Sequence, residues 1–324
     1  MARWLVERGI GEDRAILVEQ DEILEAAIEL PAVLRAGAVV AARLTSILVP
    51  GKRGIASTAT GEEALIEPVP KALTEGAALH VEVVREAVAE ADRAKLAKAK
   101  AVDAPLRPGA SLDERIGSHH VVRATDPDLF ETAGWGELIE SAISGEIGFP
   151  GGALRMNLTP AMTLFDVDGV LEPAALAVAG AKAAGRAIRR FGLGGSIGID
   201  LPTLPDRAER QAAAAALDAA LPPPFERTAV NGFGFLQVVR RRERPSLPEL
   251  IQADPIGAAA RALLRRAERV PGGGALTLAV APAVATRLER ESAWTDELAR
   301  RIGGAVSLRL DANLPIFAGY VHQG

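Results

Sequence analysis

Two stretches constrain this chain more than any others: Met162 to Gly169, MTLFDVDG, and Gly194 to Asp200, GGSIGID. Each is an apolar β-type run that ends in aspartate, and Pro173 to Phe191 between them reads as a helix, so the pattern predicts strand, helix, strand. A right-handed crossover makes the two strands parallel neighbours. Asp166 and Asp200 then emerge near adjacent carboxyl ends, where open α/β sheets build their sites. Asp168 follows Asp166 at the strand period and shares its face. Carboxylates held this close repel unless a cation lies between them. Mg²⁺ is the natural candidate, because it takes hard oxygen ligands from one or two carboxylates and leaves the rest of its shell to water and phosphate.

The 324 residues allow two or three domains, and 48% hydrophobic content is ordinary for a globular chain. With no cysteine, disulfides and thiolate metal sites are excluded, which fits a reducing interior. Arg3, Glu7 and Arg8 interrupt the one apolar segment near the start. No run approaches the roughly 18 apolar residues that span a bilayer. A soluble cytoplasmic protein with no membrane partner is therefore expected. The formal charge of −5 argues against indiscriminate nucleic-acid binding, although a local basic groove is compatible with an acidic total.

Arg3 to Arg8, Arg14 to Glu19 and Ile23 to Leu30 read as a meander of short strands. Val39 to Leu48, Arg53 to Thr60, Glu63 to Pro68 and Leu79 to Arg85 give four more, with a fifth from Arg93 to Val102; together they predict an OB-type barrel, a common platform for single-stranded nucleic acid. Glu86 to Lys98 reads equally as an amphipathic helix. As a strand, the basic stretch Arg93, Lys95, Lys98 and Lys100 sets Lys98 and Lys100 on one face, suited to tracking phosphates, or else forms a charged edge that blunts strand aggregation. His119 and His120 lack further ligands at metal-binding spacing and read as exposed loop residues.

Leu129 to Ser144 reads as a helix and Glu146 to Phe149 as a strand that turns at Pro150, Gly151 and Gly152. After the central unit come an Ala-rich helix, Arg207 to Leu221, and a glycine-interrupted strand, Thr228 to Val239. Arg240, Arg241, Arg242 and Arg244 follow directly. At a strand end beside the carboxylates such a cluster holds a nucleic-acid backbone; its bland alternative is a solubilising turn. The remainder reads as a small α/β unit: an Arg-rich helix within Glu249 to Val270, strand Ala275 to Val280, helices Pro282 to Glu291 and Thr295 to Ile302, then strands Val306 to Leu310 and Ile316 to Val321.

LFDVDGVL, Leu164 to Leu171, looks like the first motif of the haloacid dehalogenase phosphatases, whose two aspartates act as nucleophile and acid/base with Mg²⁺. That family also needs a later GDxxxD or DD pair, and none of Asp200, Asp206, Asp218, Asp254, Asp296 or Asp311 forms one. A broader resemblance covers most of the chain. Leu138 to Asp168, LIESAISGEIGFPGGALRMNLTPAMTLFDVD, is similar to the segment of the ribonuclease E/G family that runs as IESA, a short strand, a GG turn and a Thr-containing strand ending in Asp-x-Asn. Arg186 to Asp200 resembles that family's helix end, Leu-Gly-Gly and Ile-Asp strand, and Phe233 to Leu247, FGFLQVVRRRERPSL, its FGLxExSRxRxxxSL strand.

The resemblance implies a multidomain α/β fold. Residues 1–38 with 104–148 would form a split ribonuclease H-like subdomain, 39–103 an inserted OB-fold RNA-binding domain, 149–251 a deoxyribonuclease I-like catalytic subdomain and 252–324 a small α/β domain. It implies an endoribonuclease that cuts single-stranded RNA to 5′-phosphate and 3′-hydroxyl ends, with Asp166 and Asp200 as ligands of Mg²⁺, or Mn²⁺ in its place. Asp168 stands where the family has Asn, adding negative charge at the catalytic set. RNA contacts are expected from Lys98, Lys100, Arg240, Arg241 and Arg242. The segment between Lys100 and Ile139 is too short for the family's 5′-monophosphate-sensing domain, and without the zinc-link cysteines no zinc-bridged oligomer is expected. Ile55 and Leu65 fall where the barrel normally offers two aromatics, and Gly232 replaces an Arg. The rival reading is a non-catalytic RNA-binding protein of the same descent.

Overall fold

The computed structural model describes residues 1–32, 34–89 and 94–323. Its first strands are β1 (Arg3–Arg8), β2 (Asp13–Glu19), β3 (Glu22–Glu29), β4 (Val39–Val49), β5 (Arg53–Ser57), β6 (Glu63–Ile66) and β7 (Ala78–Arg85). Next come β8 (Val88–Ala89), β9 (Ala94–Lys95), β10 (Ala97–Val102), α1 (Leu112–Ile116), β11 (His119–Val121), α2 (Leu129–Thr132) and α3 (Trp135–Ser144). The central part holds β12 (Glu146–Phe149), β13 (Gly152–Leu158), β14 (Thr163–Gly169), α4 (Pro173–Arg190), β15 (Gly195–Asp200), α5 (Arg207–Ala220), β16 (Glu226–Arg227) and β17 (Phe235–Arg240). The chain ends with α6 (Leu247–Ala253), α7 (Pro255–Glu268), β18 (Leu276–Val280), α8 (Pro282–Arg290), α9 (Ser292–Ile302), β19 (Val306–Leu310) and β20 (Tyr320–Gln323). These elements form two compact units, one of residues 1–31, 118–138 and 250–324, the other of 32–117 and 139–249. Among the described residues no helix is long and apolar enough to cross a membrane.

The first unit contains the sheet β11-β1-β2-β3 and the sheet β19-β18-β20. Ile10, from the turn after β1, shares a core with Leu263 and Leu264 of α7, Leu278 of β18 and Leu288 of α8. Buried charge also ties the early strands to α7. Glu7 accepts from Arg265 Nε at 2.6 Å, from Arg14 Nη1 at 3.4 Å and from Arg269. Glu12 takes Arg14 Nε and Arg261 Nε, each at 2.6 Å. Charges withdrawn from water persist only when paired, and removing one partner costs about 3–5 kcal/mol.

In the second unit, β10-β6-β5-β4-β7 close into a barrel, compatible with an OB-like one, with β6 and β10 parallel. Leu44, Ile66, Val81, Val83, Ala97 and Ala99 fill it. The sheet β12-β13-β14-β15-β17-β16 is antiparallel except at β14 and β15, whose parallel pairing is the one the crossover requires. Period-2 alternation turns Leu154, Met156, Phe165, Val167, Ile197, Ile199, Leu236 and Val238 into a buried face. Helix α4 packs closely on this sheet: a Cβ at Gly180 would lie 2.4 Å from Val167 Cγ1. Barrel and sheet meet through Glu86, whose N–H donates to Glu243 O at 2.8 Å and whose carboxylate takes the Ala36 N–H and pairs with Arg244, each at 3.1 Å. Burial pushes the Glu86 carboxyl above its ordinary range, against the opposing pull of the Ala36 N–H and Arg244.

Several elements depart from the sequence pattern. The helix expected over Leu129 to Ser144 breaks between α2 and α3, where Gly134 takes φ +91°. The Arg-rich helix expected within Glu249 to Val270 is α7, which starts at Pro255 under an Asp254 cap, Gly257 N–H donating to Asp254 Oδ1 at 3.0 Å. Residues 228–234 are irregular, so the strand expected from Thr228 begins only at Phe235. Ile316–Ala318 is a 3₁₀ turn, which shifts the last strand to Tyr320–Gln323. His119 and His120 lie on strand β11, paired with β1, instead of in a loop. Across Glu86 to Lys98, β8 and β9 pair antiparallel where a helix was the alternative; Arg93 lies outside the described residues.

Candidate functional site

The face of the six-stranded sheet opposite α4 and α5 carries the polar residues. Strand register aligns Glu146, Arg155, Asp166, Asp200 and Phe235 in one row across β12, β13, β14, β15 and β17. Asp166 and Asp200 are direct partners in the parallel ladder, both exposed, so their backbones stand about 4.8 Å apart, one strand spacing. Phe165 and Val167 anchor β14, and Ile197 and Ile199 anchor β15, on the buried face, at 0%, 6%, 0% and 0% exposure. The anchoring forces Asp166, Asp168 and Asp200 outward: a slip of one residue would bury the carboxylates.

Like charges in direct register destabilise a sheet unless a counter-charge offsets them. Arg155, opposite Asp166 on β13, places Nη1 3.4 Å from Asp168 Oδ2. The two side chains are 60% and 58% exposed, so water screens the pair and it contributes little. The other counter-charge that this geometry accepts is a cation between Asp166 and Asp200. Two facing, solvent-reachable carboxylates are a hard-oxygen donor set that fits Mg²⁺ or Mn²⁺, since such an ion keeps several waters and takes phosphate oxygens as well. Among the described residues no cluster of three or more His, Cys, Asp or Glu forms a fuller cage. Arg155 went unread in the sequence; its signal was its place between the inward-facing Leu154 and Met156.

A second residue beside the row is Phe233, 82% exposed. The turn that presents it is tightly built. Asn231 Oδ1 accepts the N–H groups of Phe233 at 2.9 Å and Phe235 at 3.0 Å, and Leu201, next to Asp200, donates its N–H to Gly234 O at 3.3 Å. Gly234 adopts φ +93°, and a Cβ there would stand 2.1 Å from Leu201 O, so only glycine lets the turn close. An aromatic ring is thereby held out to solvent at the strand end that carries Asp200. The sequence signal was the Asn-Gly-Phe-Gly run, which reads as a turn with an aromatic at its tip.

On the barrel, Lys98 and Lys100 point outward while Ala97 and Ala99 are buried. Each already has a carboxylate: Lys98 Nζ lies 2.7 Å from Glu67 and Lys100 Nζ 2.8 Å from Glu82. Bonds from Lys98 and then Arg53 hold Glu67 below the usual carboxylate range, and Lys100 does the same for Glu82. Register aligns Ser46, Ile55, Leu65 and Lys98 across β4, β5, β6 and β10, so the aliphatic pair sits half-buried beside Lys98.

The Arg240 to Arg242 cluster is not beside the carboxylates. Antiparallel pairing sets Arg240 opposite Gly195 and Phe235 opposite Asp200, which separates the cluster from Asp200 by about 17 Å of strand. Chain direction is the reason: the end of β17 meets the start of β15. Arg240 Nη1 donates to Leu193 O at 3.2 Å, Arg242 pairs with Glu249, and Arg241, 76% exposed, lies 3.1 Å from Glu243. No family model and no curated protein sequence matches the chain.

Proposed function

We propose that this chain is a Mg²⁺-dependent endoribonuclease of the ribonuclease E/G type, cleaving single-stranded RNA to 5′-phosphate and 3′-hydroxyl ends in RNA processing or decay. The observation that carries the reading is the direct register of Asp166 and Asp200 on one exposed sheet face. In this reading β1–β3 with β11 and their helices form the ribonuclease H-like part, the barrel is an OB-fold that binds RNA, the six-stranded sheet is the deoxyribonuclease I-like catalytic part, and β18–β20 with α7–α9 form the small domain.

Asp166 and Asp200 would hold the ion, which when bound supplies Lewis-acid stabilisation of charge on phosphorus and a water of lowered pKa. The strands hold these carboxylates rigidly, since their neighbours Phe165, Val167 and Ile199 are buried. Arg155 stands in the row opposite Asp166 and pairs with Asp168 two residues on, where a guanidinium is suited to bind a non-bridging phosphate oxygen. Phe233 stacks a base next to the cleaved linkage, and Lys98 and Lys100 exchange Glu67 and Glu82 for backbone phosphates, with Arg240, Arg241 and Arg242 contacting more distant nucleotides.

One observation favours the alternative, a non-catalytic RNA-binding protein of the same descent: Arg155 already supplies a cation to the acidic row. Cleavage of a fluorogenic single-stranded RNA, measured with Mg²⁺ and with excess EDTA, tests the two. Metal-dependent cleavage supports the nuclease; binding without cleavage under any divalent ion supports the alternative.

A further inference from the structure

Within the first unit, a cavity of about 260 Å³ is lined by Arg8, Arg14, Arg123, Arg265, Arg269 and Arg301, against two carboxylates, Glu7 and Glu268. Most of these arginines have partners. Arg265 bonds Glu7, Asp128 and Glu131, Arg269 bonds Glu7, and Arg301 Nη1 bonds Glu268 at 2.6 Å. Glu7 alone thus serves three guanidinium groups, counting Arg14, so the lining carries more positive charge than its own acids balance.

Arg14 and Arg123 retain unused donors. Arg14 is 2% exposed, and its Nη2 is buried with no acceptor among the described residues. A buried donor left without an acceptor costs about 1–3 kcal/mol, so this atom marks a place where an acceptor belongs. Gly9, also in the lining, leaves room against that guanidinium: a Cβ there would sit 3.0 Å from both Nη1 and Nη2. Arg123 is exposed, and its side chain has no partner among the described residues. Its backbone is fixed, the N–H donating to Asp126 Oδ2 at 2.8 Å and the carbonyl accepting from Arg269 Nη2 at 3.3 Å.

We propose that this cavity is a binding site for a small phosphate-class oxyanion, either inorganic phosphate or a terminal phosphomonoester, held between Arg14 inside and Arg123 at the mouth. A guanidinium presents donors in a fixed fork that matches phosphate oxygens, and it stays protonated. Liquid water occupies about 30 Å³ per molecule, so the cavity admits a phosphate group with a few waters. It is smaller than the roughly 300–1,000 Å³ pockets of larger organic ligands, and a space of this size suits a terminal group better than a nucleic-acid strand passing through. The site is separate from the carboxylate row and stands whether or not the chain is a nuclease.

The test is calorimetric titration of the full chain with inorganic phosphate, ribose 5-phosphate and acetate at constant ionic strength and pH 7.5. Wild type, Arg123→Ala, Arg14→Lys and the Lys98→Ala/Lys100→Ala variant are compared. We expect saturable binding of at least one phosphate compound, at least tenfold weaker acetate binding, a tenfold or greater loss in Arg123→Ala, and no change in the double lysine variant. Tighter binding of ribose 5-phosphate identifies a terminal phosphomonoester, and tighter binding of inorganic phosphate identifies the free anion. Arg14 is buried, so Arg14→Lys can fail to fold; exposed Arg123 then decides alone. Absence of saturable binding by wild type, equal affinity in wild type and Arg123→Ala, or loss of binding in the lysine variant overturns the assignment.

Discussion

Asp166 and Asp200 face each other across adjacent parallel strands, with Asp168 two residues on along the same exposed face. An unshielded pair of this kind is a standing electrostatic cost in a sheet whose other face is well packed. Neutralising either residue should leave the fold intact and, if the pair repels in the absence of metal, raise the melting temperature slightly in EDTA.

Activity should respond in the opposite direction. Loss of a group that merely orients a metal ligand costs about 10–100-fold, so Asp166→Asn or Asp200→Asn, which alter a ligand directly, should lower Mg²⁺-dependent RNA cleavage by at least about a hundredfold. RNA affinity measured in EDTA should stay near wild type. Unchanged cleavage in either variant, or full activity in EDTA, would remove this mechanism.

Lys98 and Lys100 must leave Glu67 and Glu82 to meet RNA. For single strands the slope of log affinity against log salt is about 0.7 per phosphate contact, so Lys98→Ala/Lys100→Ala should flatten it by about 1.4. The Glu67 carboxyl, held low chiefly by Lys98, should titrate closer to its ordinary range in the same variant. An unchanged slope would locate the phosphate contacts elsewhere.

Phe233 offers an exposed ring in a tightly hydrogen-bonded turn. Stacking one base on an aromatic contributes about 1–3 kcal/mol, or roughly five- to 150-fold in affinity. Phe233→Ala should weaken RNA binding within that range without lowering thermal stability, and Phe233→Trp should restore it. Equal affinity of Phe233→Ala and wild type for two RNAs of different sequence would leave the ring without a role in binding.

Asp128 is expected to contribute to the acid sensitivity of the first unit. Burial pushes its carboxyl up, but bonds from Arg265 and the Glu131 N–H, with the charge of Arg269, outweigh this and hold it below the ordinary value of about 3.9. A pKa lowered on folding adds stability that is complete above the unfolded value and is lost as pH falls through the folded one. Asp128→Asn should therefore destabilise the chain by about 1–3 kcal/mol at pH 7, and the difference should shrink steadily below about pH 4. Denaturant melts of both proteins from pH 2.5 to 7 check this; a difference that does not vary with pH would contradict it.

The sequence by itself determined the local alternations. TLFDVDG buries every second residue and GSIGID turns Ile197 and Ile199 to the same buried face, so the outward direction of Asp166, Asp168 and Asp200 follows from period 2, and the helix between them demanded a parallel pair. Barrel strands separated by Pro50, Gly51, Gly61 and Gly76 were legible for the same reason, since turn residues and alternation act over a few positions. Only the tertiary structure decided what lies next to what. Antiparallel pairing of β17 with β15 carried Arg240 to Arg242 away from Asp200 and brought Phe233 toward it. Lys98 and Lys100 acquired Glu67 and Glu82 because barrel closure joins strands far apart in the chain. The arginine-lined cavity joins Arg14 to Arg123 and Arg301. Such neighbours are set by the packing of whole sheets and helices, and local periodicity holds no information about them.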